Sequence, residues 1–273
     1  MNSEILIASP IVSVEWLQEN LSATNLIVLD GTINKVFDAS QNQIPNTRFF
    51  DIKKKFSDVS NPFPSAFPSA EQFQNNARAL GINKNSAIVV YDDKGIYSSA
   101  RVWWLFKAFG FNNVAVLNGG FPAWLNAEYQ TEPMTLYKGD LGSFEAKHQP
   151  EFMRFFEDVK KISKEKTHKI IDARSENRFK SLEAEPRAGL RSGTIPSSVN
   201  LPFKNLFKDG LLMQKDELIP IYNTLANQEE DIVFSCGSGI TACVLALGAI
   251  ISGYNNISVY DGSWTEWGSL VEE

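Results

Sequence analysis

Cysteine and histidine are scarce in this sequence, which contains two of each among 273 residues. Two cysteines, Cys236 and Cys243, cannot build a disulfide framework; this favours a reducing compartment, and we expect a cytoplasmic protein. The cysteines and histidines lie at unrelated spacings, so no metal site is expected. The sequence also lacks a Gly-x-Gly-x-x-Gly segment and a Walker lysine, and we therefore expect no nucleotide cofactor.

Long apolar runs and blocks of positive charge are also missing. The longest apolar run, Ala242–Ile251, has ten residues and is too short to cross a bilayer, and the amino-terminal residues lack the layout of a signal peptide. The net charge is −6 without a basic cluster, so neither a membrane nor nucleic acid is an expected partner. Hydrophobic residues make up 43%, enough for a sizeable core, and the length fits two domains of about 135 residues.

The second half of the chain repeats the first. Four segments recur in the same order, at offsets of 142 to 151 residues between matching positions. The paired segments are 26–31 with 169–174, 44–47 with 195–198, 87–92 with 231–236, and 114–119 with 257–262. Because chance similarity of single apolar strands would not preserve this order, the repeat predicts two domains of one fold.

Short β-branched strands alternate with helical stretches in both halves. The predicted helices are 12–20, 70–80, 98–109, 152–163, 216–225 and 241–252. This alternation predicts the α/β class, with each domain a mostly parallel sheet that carries helices on both faces. Functional residues are expected at the carboxyl ends of the strands. A stretch rich in Pro and Gly lacks periodicity, so we place the first domain at 1–138, a linker at 139–150 and the second domain at 151–273.

The segment VFSCGSGITA carries the expected chemistry. A buried strand ends at Ser235, and Gly237 and Gly239 permit positive φ and close backbone approach. A helix follows from Thr241, which can serve as its N-cap or first-turn residue. Cys236 should therefore face a nest of backbone N–H groups at a helix N-terminus, which favours a thiolate or a persulfide and makes the sulfur a nucleophile.

Other roles for a cysteine in such a loop are possible. One alternative is a buried, inert cysteine beside an ordinary turn. A cysteine-dependent phosphatase is excluded, because it needs an arginine six positions after the cysteine, where this chain has Ala242. Cys243 lies two helical turns further on and is expected in the core.

The loop CGSGITA resembles the CGSGVTA loop of 3-mercaptopyruvate sulfurtransferases, a branch of the tandem-domain rhodanese family. The resemblance spans essentially the whole chain. It includes the segments 102–104 (VWW), 172–174 (DAR), 178–179 (RF), 185–187 (EPR) and 260–264 (YDGSW). It implies two tandem rhodanese-like domains, of which the second is catalytic. The first has lost its cysteine, since Asp92 stands at the position that matches Cys236.

The resemblance implies an enzyme that takes sulfane sulfur from 3-mercaptopyruvate onto a cysteine persulfide and releases pyruvate. A small thiol, a thioredoxin-like protein or cyanide would accept the sulfur. The implied catalytic loop consists of Cys236, Gly237, Ser238, Gly239, Ile240 and Thr241. In this loop the hydroxyl groups of Ser238 and Thr241 could polarise sulfur or donate hydrogen bonds into the nest.

Two arginines match the substrate-binding positions of that branch. Arg178 and Arg187 would grip the carboxylate and the keto oxygen of the donor, a task that suits the planar guanidinium fork. The alternative for each is a surface ion pair with a neighbouring glutamate. Asp172, at a strand end, could orient either arginine or could simply end the strand.

The chain departs from the proton relay proposed for the family, in which the loop serine is joined by an aspartate and a histidine of the first domain. The matching stretch has no histidine; its best-matching positions are Lys53 and Ser65, and Asp58 remains as a candidate acid. This departure argues against a histidine-dependent relay but not against sulfur acceptance.

The donor and the activity have alternatives. Thiosulfate-specific rhodaneses resemble Cys-Arg-Lys-Gly in this loop, whereas Gly237 and Ser238 are neutral, which favours 3-mercaptopyruvate. A thiosulfate:cyanide sulfurtransferase is the runner-up. A non-catalytic tandem rhodanese module that only binds a partner is the third hypothesis, and Cys236 argues against it because degenerate modules usually lose that residue.

Overall fold

A computed structural model describes residues 4–272. Backbone proximity divides the chain into two compact units. The first comprises the residues up to Asp58 together with Phe67–Gln149, and the second comprises Val59–Ala66 together with the residues from Pro150 onward. One segment of the first half is therefore part of the second unit. No helix in the described part is long and apolar enough to cross a membrane.

The first unit is built on a parallel five-stranded sheet. Its strands are β1 (Ile11–Val12), β2 (Leu26–Asp30), β3 (Asn42–Gln43), β4 (Thr47–Phe49), β5 (Ala87–Tyr91), β6 (Val114–Leu117) and β7 (Glu132–Pro133). Its helices are α1 (Val14–Asn20), α2 (Ala70–Ala79), α3 (Ser99–Ala108) and α4 (Gly120–Asn126). The sheet has the strand order β1-β6-β5-β2-β4, and β3 pairs separately with β7.

The second unit repeats this topology. Its strands are β8 (Met153–Arg154), β9 (Lys169–Asp172), β10 (Ser198–Asn200), β11 (Phe207–Lys208), β12 (Leu211–Leu212), β13 (Ile232–Ser235) and β14 (Ile257–Tyr260). Its helices are α5 (Phe156–Glu165), α6 (Glu176–Phe179), α7 (Lys215–Asn223), α8 (Ala242–Ile251) and α9 (Ser263–Leu270), with 3₁₀ turns at Pro150–Phe152 and Phe203–Leu206. The parallel sheet runs β8-β14-β13-β9-β10, so each strand occupies the place of its counterpart in the first unit.

Helices cover both faces of each sheet. Because strand side chains alternate between faces, Val89 packs with α1 and α4 while its neighbours in β5 face α3. In the second unit, Val233 packs with α5 and α9, and the next residue, Phe234, meets Tyr222 of α7 at an edge-to-face angle of 87°. The prediction of an α/β fold with two such domains is confirmed.

The structure corrects the starts of two predicted helices and adds others. The helix predicted at 12–20 begins at Val14, because Val12 pairs with Leu117 as part of edge strand β1. The helix predicted at 152–163 begins only at Phe156, because Met153 pairs with Val259 as part of edge strand β8. The carboxylate of Asp158 accepts a hydrogen bond from the amide of Phe155 at 3.0 Å and fixes this start. Helices α4, α6 and α9 were not predicted; they are only four to eight residues long.

The segment predicted as a linker, 139–150, packs mostly against the first unit. Phe144 is fully buried, and its ring lies 5.7 Å from that of Phe73 of α2. The amide of Lys147 donates to the carbonyl of Phe109 at 3.0 Å. The boundary between the units accordingly falls at residues 149 and 150 rather than near Gly139, because an apolar side chain anchors the segment.

Candidate active site

Cys236 follows directly on the carboxyl end of β13, as the sequence predicts, and α8 begins six residues later at Ala242. We call residues 236–241 the Cys236 loop. The cysteine side chain is buried, with 2% of the residue exposed. Within the described part of the chain, Cys236 forms no disulfide, and neither does Cys243. Cys243 is fully buried in α8, as expected of a core residue, and its thiol lies 3.3 Å from the carbonyl oxygen of Gly239.

The N-terminus of α9 holds the Cys236 loop through two loop carbonyls. The amide of Trp264 donates to the carbonyl of Cys236 at 3.0 Å. The amide and the hydroxyl of Thr265 donate to the carbonyl of Gly237 at 2.9 and 2.6 Å. These donors would otherwise be orphaned at the helix start, so helix and loop satisfy each other.

Ser263 fastens the same loop through its amides. Its buried hydroxyl oxygen accepts hydrogen bonds from the amides of Cys236 and Gly239, both at 3.1 Å, and donates to the carbonyl of Tyr260 at 2.9 Å. The same oxygen lies 3.9 Å from the sulfur of Cys236. Ser263 has a φ of 50°, a strained value for a residue other than glycine, and such strain is typical of functional sites.

Sequence reasoning quoted Ser263 within a motif but gave it no role. The internal repeat contains the signal that was missed. At the matching position the first unit has Gly120, which also has a positive φ, of 54°. A serine that occupies a position suited to glycine points to a requirement for its hydroxyl group.

The remaining amides of the Cys236 loop lack protein partners. Within residues 4–272, the backbone N–H groups of Gly237, Ser238, Ile240 and Thr241 make no hydrogen bond. The same holds for the hydroxyl groups of Ser238 and Thr241, and Thr241 does not cap α8 through its side chain. This loop therefore has the unused donors that an anion on Cys236 would require.

A chain of alternating charges begins beside this loop and leads into the interior. Arg174 lies at its centre and is 2% exposed. Its Nε and Nη2 bind the carboxylate of Asp172 at 2.8 to 3.1 Å, and its Nη1 binds Glu185 at 2.8 Å. Glu185 in turn binds Arg178 at 2.6 Å. The alternative of an ion pair between Arg178 and a neighbouring glutamate is therefore present, with Glu185 as the partner, although this glutamate is buried. The sequence assigns no role to Arg174, because nothing local marks Arg174 and Glu185, eleven residues apart, as partners.

Arg178 is the member of this chain that reaches the Cys236 loop. A Cβ atom built on Gly237 would lie 3.1 Å from Arg178 Nη2. Burial lowers the pKa of this guanidinium, but the hydrogen bond and charge of Glu185, assisted by the charge of Cys236, outweigh it and raise the pKa above its ordinary value. The structure therefore brings Arg178 next to the loop as a fixed cation.

The other two predicted substrate-binding residues are placed differently. Asp172 is 1% exposed and binds Arg174, so it contacts neither Arg178 nor Arg187 through an ion pair. Burial raises the pKa of Asp172, and the adjacent Arg174 opposes that rise. Asp172 is therefore connected to Arg178 through Arg174 and Glu185. Arg187 is exposed and makes no ion pair among the described residues.

The candidate relay residues are divided between the two units. Ser65 belongs to the segment Val59–Ala66 of the second unit, where it is buried and has a φ of 61°. Lys53 and Asp58 belong to the first unit. Among residues 4–272, no group of three or more His, Cys, Asp or Glu side chains is placed to hold a metal ion.

Comparison with known proteins identifies the family of this chain. The sequence profile of the rhodanese-like domain matches residues 13–127 and again 156–270. Thiosulfate/3-mercaptopyruvate sulfurtransferase 1, mitochondrial, of Arabidopsis thaliana is 36% identical over an alignment of 294 residues; the match covers 97% of this chain and 77% of that protein. The 3-mercaptopyruvate sulfurtransferase of Mus musculus is 36% identical over an alignment of 276 residues; the match covers 94% of this chain and 91% of that protein.

A solved structure extends the agreement to the fold. The crystal structure of SseA from Escherichia coli, described as a 3-mercaptopyruvate sulfotransferase with the rhodanese fold, superposes with a TM-score of 0.82 at 32% identity. The match covers 94% of this chain and 99% of SseA. The resemblance inferred from the Cys236 loop is confirmed, and this chain belongs to the rhodanese family, with two rhodanese-like domains in tandem.

Proposed function

We propose that this chain is a sulfurtransferase that takes sulfane sulfur from 3-mercaptopyruvate onto Cys236 and passes it to a nucleophilic acceptor. The observation that carries the proposal is the cysteine at the strand end, in a loop with four amides that have no partner among the described residues and with Arg178 beside it. Relatives that match nearly the whole chain are named for this donor. A non-catalytic module would have no reason to keep both the thiol and its unused donors.

The chemistry begins with attack of the Cys236 thiolate on the donor sulfur. A sulfur–sulfur bond forms and the carbon–sulfur bond of the donor breaks, so its electron pair leaves with the carbon fragment as the enolate of pyruvate. The proton of the donor thiol ends on that carbon, which gives pyruvate and a persulfide anion on Cys236. An acceptor then attacks the outer sulfur, the sulfur–sulfur bond breaks, and the thiolate of Cys236 is regenerated.

The residues of the loop have distinct tasks in this scheme. The amides of Gly237, Ser238, Ile240 and Thr241 stabilise the persulfide anion, because preformed donors are already oriented when charge develops. The hydroxyl groups of Ser238 and Thr241 donate to the leaving enolate or to the sulfur. These neutral groups allow the loop to act without the relay histidine, which is missing from the matching stretch of the first half.

The two arginines bind the donor in this scheme. Arg178 holds the donor carboxylate from beside the loop, and Arg187 supplies a second guanidinium from the exposed segment that follows α6.

Thiosulfate is a second candidate donor. The Cys236 loop itself contains no cation, but Arg178 Nη2 lies against Gly237 and places positive charge where a dianion could use it. The Arabidopsis relative is named for both donors. We expect 3-mercaptopyruvate to be preferred, because thiosulfate gains most from cations within the loop itself, and the loop positions Gly237 and Ser238 are neutral.

Two measurements test the proposal. Intact-mass spectrometry after treatment with 3-mercaptopyruvate should show a gain of one sulfur atom, and kcat/KM should be higher with 3-mercaptopyruvate than with thiosulfate. A higher kcat/KM with thiosulfate would favour the second candidate. A chain that gains no sulfur from either donor would instead be a binding module.

The acceptor and the cellular location are further parts of the proposal. A small thiol, a thioredoxin-like protein or cyanide would accept the sulfur, since each offers a nucleophile that can attack the outer persulfide atom. A reducing compartment such as the cytoplasm suits a reactive thiol that forms no disulfide. Single-turnover assays with persulfide-loaded protein would rank the acceptors, and imaging of the tagged full-length protein would test the location.

A further inference from the structure

The guanidinium of Arg178 is held along one edge only. Its Nε and Nη2 bind the two carboxylate oxygens of Glu185 at 3.3 and 2.6 Å. Its Nη1 makes no hydrogen bond among the described residues. A guanidinium has a second donor edge, formed by Nη1 and the other hydrogen of Nη2, and this edge can still bind a carboxylate in two parallel bonds.

Glu185 is itself immobilised from behind. Arg174 binds it at 2.8 Å and is anchored by the carboxylate of Asp172 and by the carbonyl of Gly193, also at 2.8 Å. The side chain of Glu185 is 1% exposed and that of Arg174 is fully buried. Neither group can therefore touch a donor at the loop; each can act only through Arg178.

Gly237 leaves room for the guanidinium of Arg178. Apart from the adjacent residues of the chain, the one atom of residues 4–272 within 4 Å of a Cβ built at this glycine is Arg178 Nη2, at 3.1 Å. The φ of Gly237 does not lie in the left-handed region, so its backbone does not require glycine. Space for the guanidinium is the structural reason for glycine at this position.

We propose that Glu185, fixed by Arg174, and Gly237 are positioning residues that orient the second edge of Arg178 toward the donor carboxylate beside Cys236. The inference rests on the proposed function, because it assigns Arg178 to donor binding. In this inference Glu185 orients the guanidinium of Arg178 rather than only neutralising its charge.

The test is a pair of double-mutant cycles with 3-mercaptopyruvate as the donor. Glu185→Gln removes the charge but keeps the shape, and Gly237→Ala adds the one methyl group that meets Arg178 Nη2. Each is made alone and together with Arg178→Ala. We expect each single substitution to raise KM about tenfold with kcat within about twofold, since ground-state and transition-state binding of the carboxylate are lost equally.

The cycle separates positioning from general damage. In the Arg178→Ala background neither substitution should raise KM further, because both act through the missing guanidinium. Glu183→Gln is the matched control, since this exposed glutamate lies two residues from Glu185 and should leave KM unchanged. Thermal melts of all variants verify that each is folded; if Glu185→Gln is not, the Gly237→Ala cycle decides by the same criteria.

Several outcomes would overturn the inference. A lower KM for Glu185→Gln would mean that Glu185 only neutralises Arg178, and increases in KM that add to that of Arg178→Ala would indicate a merely structural role. Unchanged KM values in an active protein would refute positioning but leave the proposed function intact. Failure of the wild-type chain to gain sulfur from 3-mercaptopyruvate would overturn the proposed function, and this inference with it.

Discussion

The two units use the same loop position for opposite purposes. In the first unit, Asp92 follows β5 where Cys236 follows β13 in the second. One carboxylate oxygen of Asp92 accepts hydrogen bonds from the amides of Tyr97, Ser98 and Ser99 at 2.8 to 2.9 Å and from the Ser99 hydroxyl at 2.6 Å. The first unit thus fills its nest with its own carboxylate, whereas four amides of the Cys236 loop have no partner in the part of the chain that the structure describes.

The comparison shows which part of the architecture is shared. The amide of Phe121 donates to the carbonyl of Asp92 at 3.0 Å, and the amide of Trp264 donates to the carbonyl of Cys236 at the same distance. The fold therefore anchors the loop at this strand end in the same way in both units. The side chain at the first loop position differs, and in the first unit that side chain binds the backbone amides that follow it.

The largest expected effect comes from making the second loop resemble the first. Cys236→Asp and Cys236→Ser should both abolish the gain of sulfur, because neither side chain can form a persulfide. Intact-mass spectrometry after donor treatment measures this loss. Cys243→Ser is the control and should load sulfur normally, since Cys243 is buried within α8. Sulfur transfer that survives in the Cys236 variants but is lost in the control would place the chemistry on the other thiol.

Arg187→Ala should have the next largest effect. The Cys236 loop contains no cation, so the donor carboxylate depends on arginines from outside the loop. Losing one charged hydrogen-bonding partner costs about 2–3 kcal/mol. Arg187→Ala should therefore lower kcat/KM for 3-mercaptopyruvate by about 100-fold. The side chain is exposed, so the melting temperature should not change.

The control for Arg187 is Lys180→Ala. This exposed cation near α6 pairs with Glu176 on the surface, an interaction that contributes little. Equal kcat/KM values for Arg187→Ala and the wild type would assign Arg187 to the protein surface.

The hydrogen bonds that Asp92 accepts should contribute to the thermal stability of the protein. In Asp92→Asn an NH2 group replaces one carboxylate oxygen. Its hydrogens repel the surrounding N–H donors, which should lower the free energy of unfolding by about 2 kcal/mol. We expect the melting temperature to fall by about 5 °C while sulfur loading on Cys236 persists. Asp93→Asn is the neighbouring control and should melt like the wild type. An undisturbed melt for Asp92→Asn would show that the hydrogen bonds around Asp92 do not stabilise the unit.

The smallest effect is expected for a substitution at Ser263, which tests the comparison between the two units at one further position. Ser263→Gly restores the residue type that the first unit has at Gly120 and relieves the positive φ of 50°. It also removes the hydroxyl that binds the amides of Cys236 and Gly239. We expect the rate of sulfur loading to fall about tenfold with little change in stability, because the two effects on folding oppose each other. Stopped-flow kinetics that match the wild type would deny Ser263 a part in shaping the loop.

Much of the fold was predictable because its signals are local or periodic. Apolar strands such as Ile232–Ser235 stand out by composition, and their fixed order in both halves predicts the repeat. The position of Cys236 between a strand and a helix follows from two glycines and a helix start within six residues. The short helices α4 and α9 were missed, since α4 contains Gly120 and Pro122 and α9 contains Gly268, residue types that disfavour a helix.

The sequence by itself determined the two-domain α/β class, the family resemblance and the choice of Cys236 as the proposed nucleophile. Only the tertiary structure decided which groups surround that nucleophile. Ser263 reaches Cys236 across 27 residues, and Arg174 joins Glu185 to Asp172 through contacts that no spacing reveals. The physical reason is that strands and helices follow from patterns of neighbouring residues in the sequence. Hydrogen-bonding partners depend instead on which strand ends and helix starts lie together in the folded sheet.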